Sequence, residues 1–133
     1  MAKVTVEFRQ KRILDKVKAG NVRSIFSASN LIRRLAMASI LFRRNRLKSS
    51  PEGSPPFTHG RRRLPKSILF AVNQAKNSSI IGVDSTKFGM AGGALEHGGT
   101  FMGEQFDKRP FMVPALEKVK PRLPRMWANS VST

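Results

Sequence analysis

Apolar residues recur at helical spacing from Val22 to about Arg46, and this is the clearest pattern in the chain. The recurring positions are Ile25, Ala28, Ser29, Ile32, Leu35, Ala36, Ser39 and Phe42. Spacings of three and four residues place these side chains on one helical face, and no Gly or Pro interrupts the segment. The pattern predicts a long helix whose wide apolar face packs against more than one neighbour.

The segment that precedes this helix has an ambiguous pattern. Apolar and polar residues alternate over 4–8, which is typical of a short strand with one buried face. The same positions also suit the first turn of a helix that continues to Val17. Gly20 is then expected to end that helix in a left-handed conformation, and Asn21 is expected to cap the next one.

Short apolar runs bounded by turn residues follow in the second half of the chain. Residues 67–72 and 78–83 predict two strands, and the polar residues between them predict the turn of an antiparallel hairpin. A short helical turn is expected over 91–97, and a third strand is expected near Phe101 and Met102.

A C-terminal helix is expected to begin at Pro114, because the fixed φ of proline suits the first position of a helix. Apolar residues spaced for one face continue from there toward the C-terminus. Pro121 and Pro124 fall within this run and predict that the helix kinks or ends there. Residues 121–133 are accordingly expected to form an irregular tail.

Residues 48–66 form a long loop by composition, since Pro, Ser and Gly recur through it and basic residues end it. A loop of this length is longer than a compact domain usually leaves unstructured, so we expect contact with a neighbouring subunit chiefly to order it. The residues expected at that contact are Pro51, Pro55, Pro56, Phe57 and His59. Together these elements predict a single α+β domain over 1–133, with a small antiparallel sheet packed by the long helix and the C-terminal helix.

The positive charge of the chain is extreme and uneven. The formal net charge is +17, and residues 1–66 carry 17 Lys and Arg against 3 Asp and Glu. Such charge attracts polyanions and opposes a compact solitary monomer, although a solvated face without a specific partner is the alternative. The residues expected to face DNA or another polyanion are Arg33, Arg34, Arg43, Arg44, Arg46, Arg61, Arg62 and Arg63. No zinc-finger, zipper or helix-turn-helix spacing accompanies them, which argues against sequence-specific DNA recognition.

Few side chains are suited to catalysis. The chain has no Cys, no Tyr, two His and eight carboxylates, and its histidines lack the spacing of metal ligands. Glu96 and His97 are adjacent, and side chains of adjacent residues usually point apart. We therefore expect no enzymatic activity, no cofactor and no metal. No apolar stretch approaches the roughly 18 residues of a membrane span, so we expect no membrane partner.

Two short sequence motifs in the second half of the chain, which we name the two phrases, are its most informative feature. The first is Leu95-Glu96-His97-Gly98-Gly99-Thr100, and the second is Arg109-Pro110-Phe111-Met112-Val113-Pro114-Ala115-Leu116-Glu117. Phe111 lies between two prolines and is expected to point into the core, where it would anchor the last helix on the sheet.

The order of these phrases resembles the tail-completion proteins of tailed phages, also called head–tail joining or neck proteins. The Pro-rich segment 53–60, the strand start at 63–68 and the strand end at 80–82 contribute to the resemblance, which covers residues 20–120. Its motif positions are Leu95, Glu96, Gly98, Gly99, Thr100, Arg109, Pro110, Phe111 and Pro114.

The resemblance implies an α+β structural protein of the virion that carries no cofactor. Such a protein would assemble in the host cytoplasm into a hexameric or dodecameric ring of the neck. The ring would contact portal-adaptor proteins and tail-tube or terminator proteins, and would surround the channel for double-stranded DNA. The competing class is a free basic DNA-binding protein without sequence preference. A toxin or ribosome-associated protein would share the charge but not the two phrases.

Overall fold

One uninterrupted helix of 38 residues, α1 (Ala2–Ser39), begins the fold. The computed structural model describes residues 2–59, 63–84, 86, 91–101, 103–128 and 130. At a rise of 1.5 Å per residue, α1 is about 57 Å long. The strand predicted over 4–8 is therefore wrong, and the alternative prediction of a helix that begins there is confirmed.

Gly20 lies inside α1 and does not end it, and Asn21 does not cap a new helix, contrary to the sequence prediction. The C-terminal segment passes α1 at this point, and a Cβ atom on Gly20 would overlap the backbone carbonyl of Ser130. Glycine is thus required by a close approach of two backbones rather than by a turn.

The end of α1 is set by a pairing with the following loop. The sequence predicted a helix to about Arg46, but Phe42 and Thr58 form an isolated parallel bridge. The backbone N–H of Thr58 donates to the Leu41 carbonyl at 2.8 Å, and the N–H of Arg43 donates to the Thr58 carbonyl at 3.0 Å. These bonds use backbone groups that a longer helix would need.

The hairpin predicted after residue 66 is confirmed. β1 (Ile68–Asn73) pairs antiparallel with β2 (Ser78–Val83). Ile68 is fully buried whereas Ile80 is 78% exposed, because the two-stranded sheet covers the core with one face only.

Shorter elements flank the hairpin. α2 (Arg63–Lys66) precedes β1, so the last residues of the loop predicted over 48–66 are helical, and α3 (Ala91–His97) follows β2, as predicted. β3 (Gly99–Phe101) pairs antiparallel with β4 (Glu104–Phe106) in a sheet of its own. The α+β class is confirmed, with two small sheets in the described part of the chain in place of one.

The C-terminal helix begins two residues earlier than predicted. Pro114 is the third residue of α4 (Met112–Val119), where its missing N–H costs no intrahelical bond. A 3-10 turn, Lys120–Arg122, and a last helix, α5 (Leu123–Ala128), follow. The prolines interrupt the helix as predicted, but residues 121–128 are not the irregular tail that the sequence suggested.

One cluster of buried side chains holds these elements together. Its buried members are Ile32, Ala36, Ile40, Ile68, Phe111, Ala115 and Val119. Phe111 is 1% exposed, which confirms the prediction that it points into the core. Within the described ranges, no helix combines the length and the apolar composition that crossing a membrane requires.

Polar bonds fasten the end of the chain to α1, next to Gly20. The indole Nε1 of Trp127 donates to Asn21 Oδ1 at 2.8 Å, and Ser24 Oγ donates to the Met126 carbonyl at 2.9 Å. Beyond this crossing, toward its N-terminus, α1 extends away from the core with every residue of 11–19 exposed.

Candidate functional site

The two sequence phrases meet at the start of α4. Glu96, at the end of α3, accepts three backbone N–H groups there. Its Oε2 accepts from Phe111 at 2.9 Å and Met112 at 3.0 Å, and its Oε1 accepts from Val113 at 2.8 Å. Glu96 is only 7% exposed. The carboxylate accepts hydrogen bonds from N–H groups that have no partner within the helix. Its negative charge also interacts favourably with the positive N-terminal end of the helix dipole.

A second set of bonds keeps the two phrases together. Arg109 donates its backbone N–H to the Leu95 carbonyl at 2.6 Å and its Nε to the Ser50 carbonyl at 3.1 Å. Gly98 turns the chain with a φ of +73°, and a Cβ atom there would lie 3.4 Å from the backbone nitrogen of Lys108. The phrases therefore form one structural unit, in which a buried carboxylate and a turn position α4.

The other motif residues lie at the edges of this unit. Gly99 and Thr100 open β3 and are exposed, whereas Pro110 and Pro114 are half-buried. His97 is exposed, so it points away from the buried residue before it, as predicted. Across the described residues, no three His, Cys, Asp or Glu side chains are grouped so that they could hold a metal ion.

The first part of the loop, 48–59, is fastened within the chain. In addition to the Thr58 bridge, the N–H of Gly53 donates to the Lys108 carbonyl at 2.8 Å, and His59 Nδ1 lies 2.7 Å from the Arg43 carbonyl oxygen. Of the residues expected at a subunit contact, Pro56 is buried, Pro55, Phe57 and His59 are half-buried, and Pro51 is exposed. Residues 48–59 thus have hydrogen-bond partners within the chain, and their contact with a neighbouring subunit stays a prediction.

The candidate DNA-facing arginines separate into exposed and structural ones. Arg43, Arg44, Arg46 and Lys48 are exposed in the segment after α1, which we name the basic segment, 43–48. The guanidinium carbon of Arg43 lies 5.0 Å from the centre of the Phe57 ring, a cation–π contact with the loop. Four cations within six residues suit phosphate groups without fixing a base-specific geometry.

Arg33 differs from the exposed arginines. It is half-buried, and its Nε donates to the Ile68 carbonyl at 2.6 Å, which joins α1 to the start of β1. Arg34 is exposed on the same helix. Arg61 and Arg62 lie outside the described residues, and Arg63 begins α2.

An apolar groove that the sequence analysis did not foresee lies between α1, β2, α4 and α5. Its volume is about 440 Å³, and its lining includes Ile25, Ile32, Ile81, Val113, Leu116 and Trp127. Val113 is 50% exposed and Leu116 is 37% exposed, so apolar surface stays open to solvent. No charged side chain of the described residues lines this groove.

A second unforeseen apolar surface lies on the exposed part of α1, which we name the arm, 11–19. Ile13, Leu14 and Val17 are 58%, 57% and 43% exposed. Leu14 precedes Ile25 by 11 residues and Ile32 by 18. These separations are about three and five helical turns, so the three residues share one face. The sequence therefore carried a signal for the arm: the core-facing stripe continues past the point where the fold covers it.

No family model, no curated protein and no solved structure matches this chain. Its functional assignment therefore rests on the two phrases, the basic segment and the two open apolar surfaces.

Proposed function

We propose that the chain is a structural subunit of the head–tail connector of a tailed phage. It forms a hexameric or dodecameric ring in the neck of the virion and surrounds the channel through which double-stranded DNA passes. The observation that carries the proposal is the ordered set of sequence phrases described above. Two of these phrases pack into a single unit around the Glu96 carboxylate. That unit fixes the position of α4 relative to α3.

The distribution of charge supports a position beside DNA. The exposed cations of the basic segment suit a duplex that slides past, because phosphate contacts attract DNA without selecting a sequence. Arg34 adds an exposed cation on α1. In the assembled neck, the excess charge of each copy is offset by DNA phosphates or by acidic surfaces of the portal-adaptor and tail-tube or terminator proteins.

The exposed side of the loop provides a contact between subunits. Pro51 and the outer surfaces of Pro55, Phe57 and His59 are available for a neighbour, while the inner side of the loop is fastened to residues 41–43. A loop held in this way presents its surface in a defined position, which lowers the entropic cost of assembly.

Native mass spectrometry of the purified chain and proteomics of phage particles test the proposal together. The expected result is a closed oligomer, or a monomer that closes into a ring on its portal-adaptor partner, and the presence of the chain in particles. Electron cryomicroscopy of particles then places it in the neck. A stable monomer that is absent from particles would overturn the proposal.

The second candidate is a free basic protein that binds DNA without reading sequence. The exposed basic segment favours it equally, since the same cations bind any duplex. The two functions differ in location and in stoichiometry. A free DNA-binding protein remains in the cell when particles are purified, and it coats duplex DNA as a monomer or dimer.

A further inference from the structure

The solvent-facing side of α1 carries a row of cations that is separate from the basic segment. Six positions share this face because they follow one another at spacings of three, four or seven residues: 12, 16, 23, 27, 30 and 34. Four of them hold exposed basic residues, which we name the cationic stripe: Arg12, Lys16, Arg23 and Arg34. The other two are Ser27 and Asn30, so no acidic or apolar residue interrupts the stripe.

The charge of the stripe is not offset within the chain. In the described part of the chain the ion pairs lie within 107–109 and 117–120, outside α1. Asp15, the only acidic residue of the sequence between 11 and 39, is in neither of them. Arg23 donates to the Ser130 carbonyl at 3.2 Å, and this neutral acceptor leaves the charge of the guanidinium in place. The stripe therefore attracts an external anion.

A cleft at one end of the stripe adds a further cation. The cleft lies between α1 and α2, has a volume of about 570 Å³, and is lined by Arg34 and the exposed Lys66. No acidic side chain of the described residues lines it. An arginine and a lysine on one open cleft are suited to the oxygens of a phosphate group.

The length of the stripe matches the repeat of a DNA duplex. Arg12 and Arg34 are 22 residues apart in one continuous helix. At 1.5 Å per residue, this separation is about 33 Å along the helix axis. One turn of B-form DNA is about 34–36 Å long. A duplex that lies along α1 therefore presents phosphates of the same strand to both ends of the stripe.

The composition of the stripe favours DNA over an acidic protein as its partner. The centres of protein–protein interfaces are depleted of charged residues and enriched in aromatic ones. Protein–DNA interfaces are more polar and much more positively charged. The six positions hold four cations, a hydroxyl and an amide, and no aromatic or aliphatic side chain that a protein partner would bury.

We propose that the cationic stripe binds the phosphate backbone of a DNA duplex that lies along α1, with Lys66 contacting a phosphate at the Arg34 end. The contact selects no sequence, because phosphates carry no base information. This inference rests on the proposed position of the chain beside DNA and names the helix face that the duplex follows. In a ring, it aligns α1 with the DNA channel.

Two pairs of substitutions in the arm of the full chain test the inference. Arg12→Ala with Lys16→Ala removes two charges from the stripe, whereas Lys11→Ala with Lys18→Ala removes two charges from a different face of the same helix. All four side chains are exposed, so both double variants should keep the fold, which circular dichroism verifies. In anisotropy titrations with a duplex of about 16 base pairs, the stripe pair should make the slope of log K against log salt concentration shallower by about 1.8, and the control pair should change it little. Equal changes for the two pairs, or no change for either, would overturn the inference.

The length of the duplex tests the alignment along α1. Arg12→Ala combined with Arg34→Ala should make the slope shallower by about 1.8 on a duplex of about 16 base pairs, because both ends of the stripe then lose a contact. On a hairpin-closed duplex of about 6 base pairs, which is about 20 Å long, the change should not exceed about 0.9. The shorter duplex cannot reach both arginines. Equal changes on the two lengths would contradict the alignment and overturn the inference.

The remaining outcomes separate the inference from other partners and from the function on which it rests. Poly-glutamate is the probe for acidic proteins: if the stripe pair weakens its binding but leaves duplex binding unchanged, the stripe belongs to an acidic protein and the inference is overturned. A ring found in particles whose DNA binding is the same in both pairs refutes the inference and leaves the neck function standing. A loss confined to the stripe pair, in a chain that is monomeric and absent from particles, supports the inference and refutes the neck function.

Discussion

The Oε2 atom of Glu96 accepts the backbone N–H of Phe111 at 2.9 Å, which joins the end of α3 to the start of α4. The same carboxylate accepts two further N–H groups of α4, and Phe111 is the largest fully buried side chain of the described core. One buried charge thus holds the backbone of the residue whose ring fills the core.

Replacing Glu96 should loosen α4. Glu96→Gln keeps the shape but brings an amide N–H₂ group toward backbone donors, so we expect the free energy of unfolding to fall by about 2 kcal/mol. Urea denaturation followed by the fluorescence of Trp127 measures this. Glu117→Gln is the control: its ion pair with Lys120 is exposed, and its loss should cost less than about 0.5 kcal/mol. Equal costs for the two variants would contradict the capping role.

Truncating Phe111 should be among the most damaging single changes. Phe111→Ala removes a ring that is 1% exposed and leaves a cavity, so we expect a loss of about 3 to 5 kcal/mol. Leu47→Ala, at a position 94% exposed, is the control and should be nearly neutral. A loss below about 1 kcal/mol in Phe111→Ala, by the same denaturation, would place the ring outside the core.

Gly20→Ala should destabilise the full chain but stabilise a chain that lacks residues 129–133. In the full chain the new methyl group overlaps the Ser130 carbonyl, and we expect destabilisation by about 1 to 3 kcal/mol. In a chain that ends at Ala128 the overlap is gone, and the higher helix propensity of alanine should stabilise by about 0.5 to 1 kcal/mol. Thermal unfolding is measured for both lengths of the chain, each with glycine and with alanine at position 20, and shows whether the change in stability reverses sign. Stabilisation in both backgrounds would mean that the two backbones do not approach closely.

Exposed arginines and Arg33 should affect DNA binding differently. Replacing Arg44 and Arg46 together with alanine removes two phosphate contacts. The slope of log K for DNA binding against log salt concentration should then become shallower by about 1.8, equally for duplexes of unrelated sequence. Arg33→Ala should leave this slope unchanged and reduce stability by about 1 kcal/mol, because its Nε holds the Ile68 carbonyl. Anisotropy titrations over a salt series measure the slope. Strong preference for one duplex would indicate a sequence-reading protein, and binding that is absent or independent of salt would assign the charge to acidic proteins.

Hydrogen exchange should find the loop ordered in the free chain. The amides of Arg43, Gly53 and Thr58 donate to backbone carbonyls, so we expect them to exchange more slowly than the exposed Ser49. Exchange of all four at the rate of an unfolded peptide would support the expectation that contact with a neighbouring subunit chiefly orders this loop.

Local patterns predicted the elements whose partners are close in sequence. The β1–β2 hairpin follows from two apolar runs and a polar turn, and the burial of Phe111 follows from its place between two prolines. The prediction that Gly20 ends a helix was wrong because glycine is needed there for the close approach of Ser130. That residue is 110 positions away, so no local sequence pattern indicates the contact.

The candidate site was predicted only in part, for the same reason. The sequence marks Glu96 as part of a motif. Its three N–H partners are apparent only from the packing of α3 against α4. Arg33 and the exposed arginines look alike in sequence, and only the position of β1 distinguishes them. The groove requires four elements to meet, so it has no signature in any one of them.

The packing of segment 119–127 against α1 governs when this protein acquires its shape. Ser24 bonds to the carbonyl of Met126, 102 residues later, and Val119 completes the core around Ile32. During translation the apolar face of α1 therefore stays open to solvent until segment 119–127 has left the ribosome. A prematurely terminated product keeps that face uncovered and becomes a substrate for chaperones and proteases. Segment 119–127 thus acts as a quality check on the folding of α1.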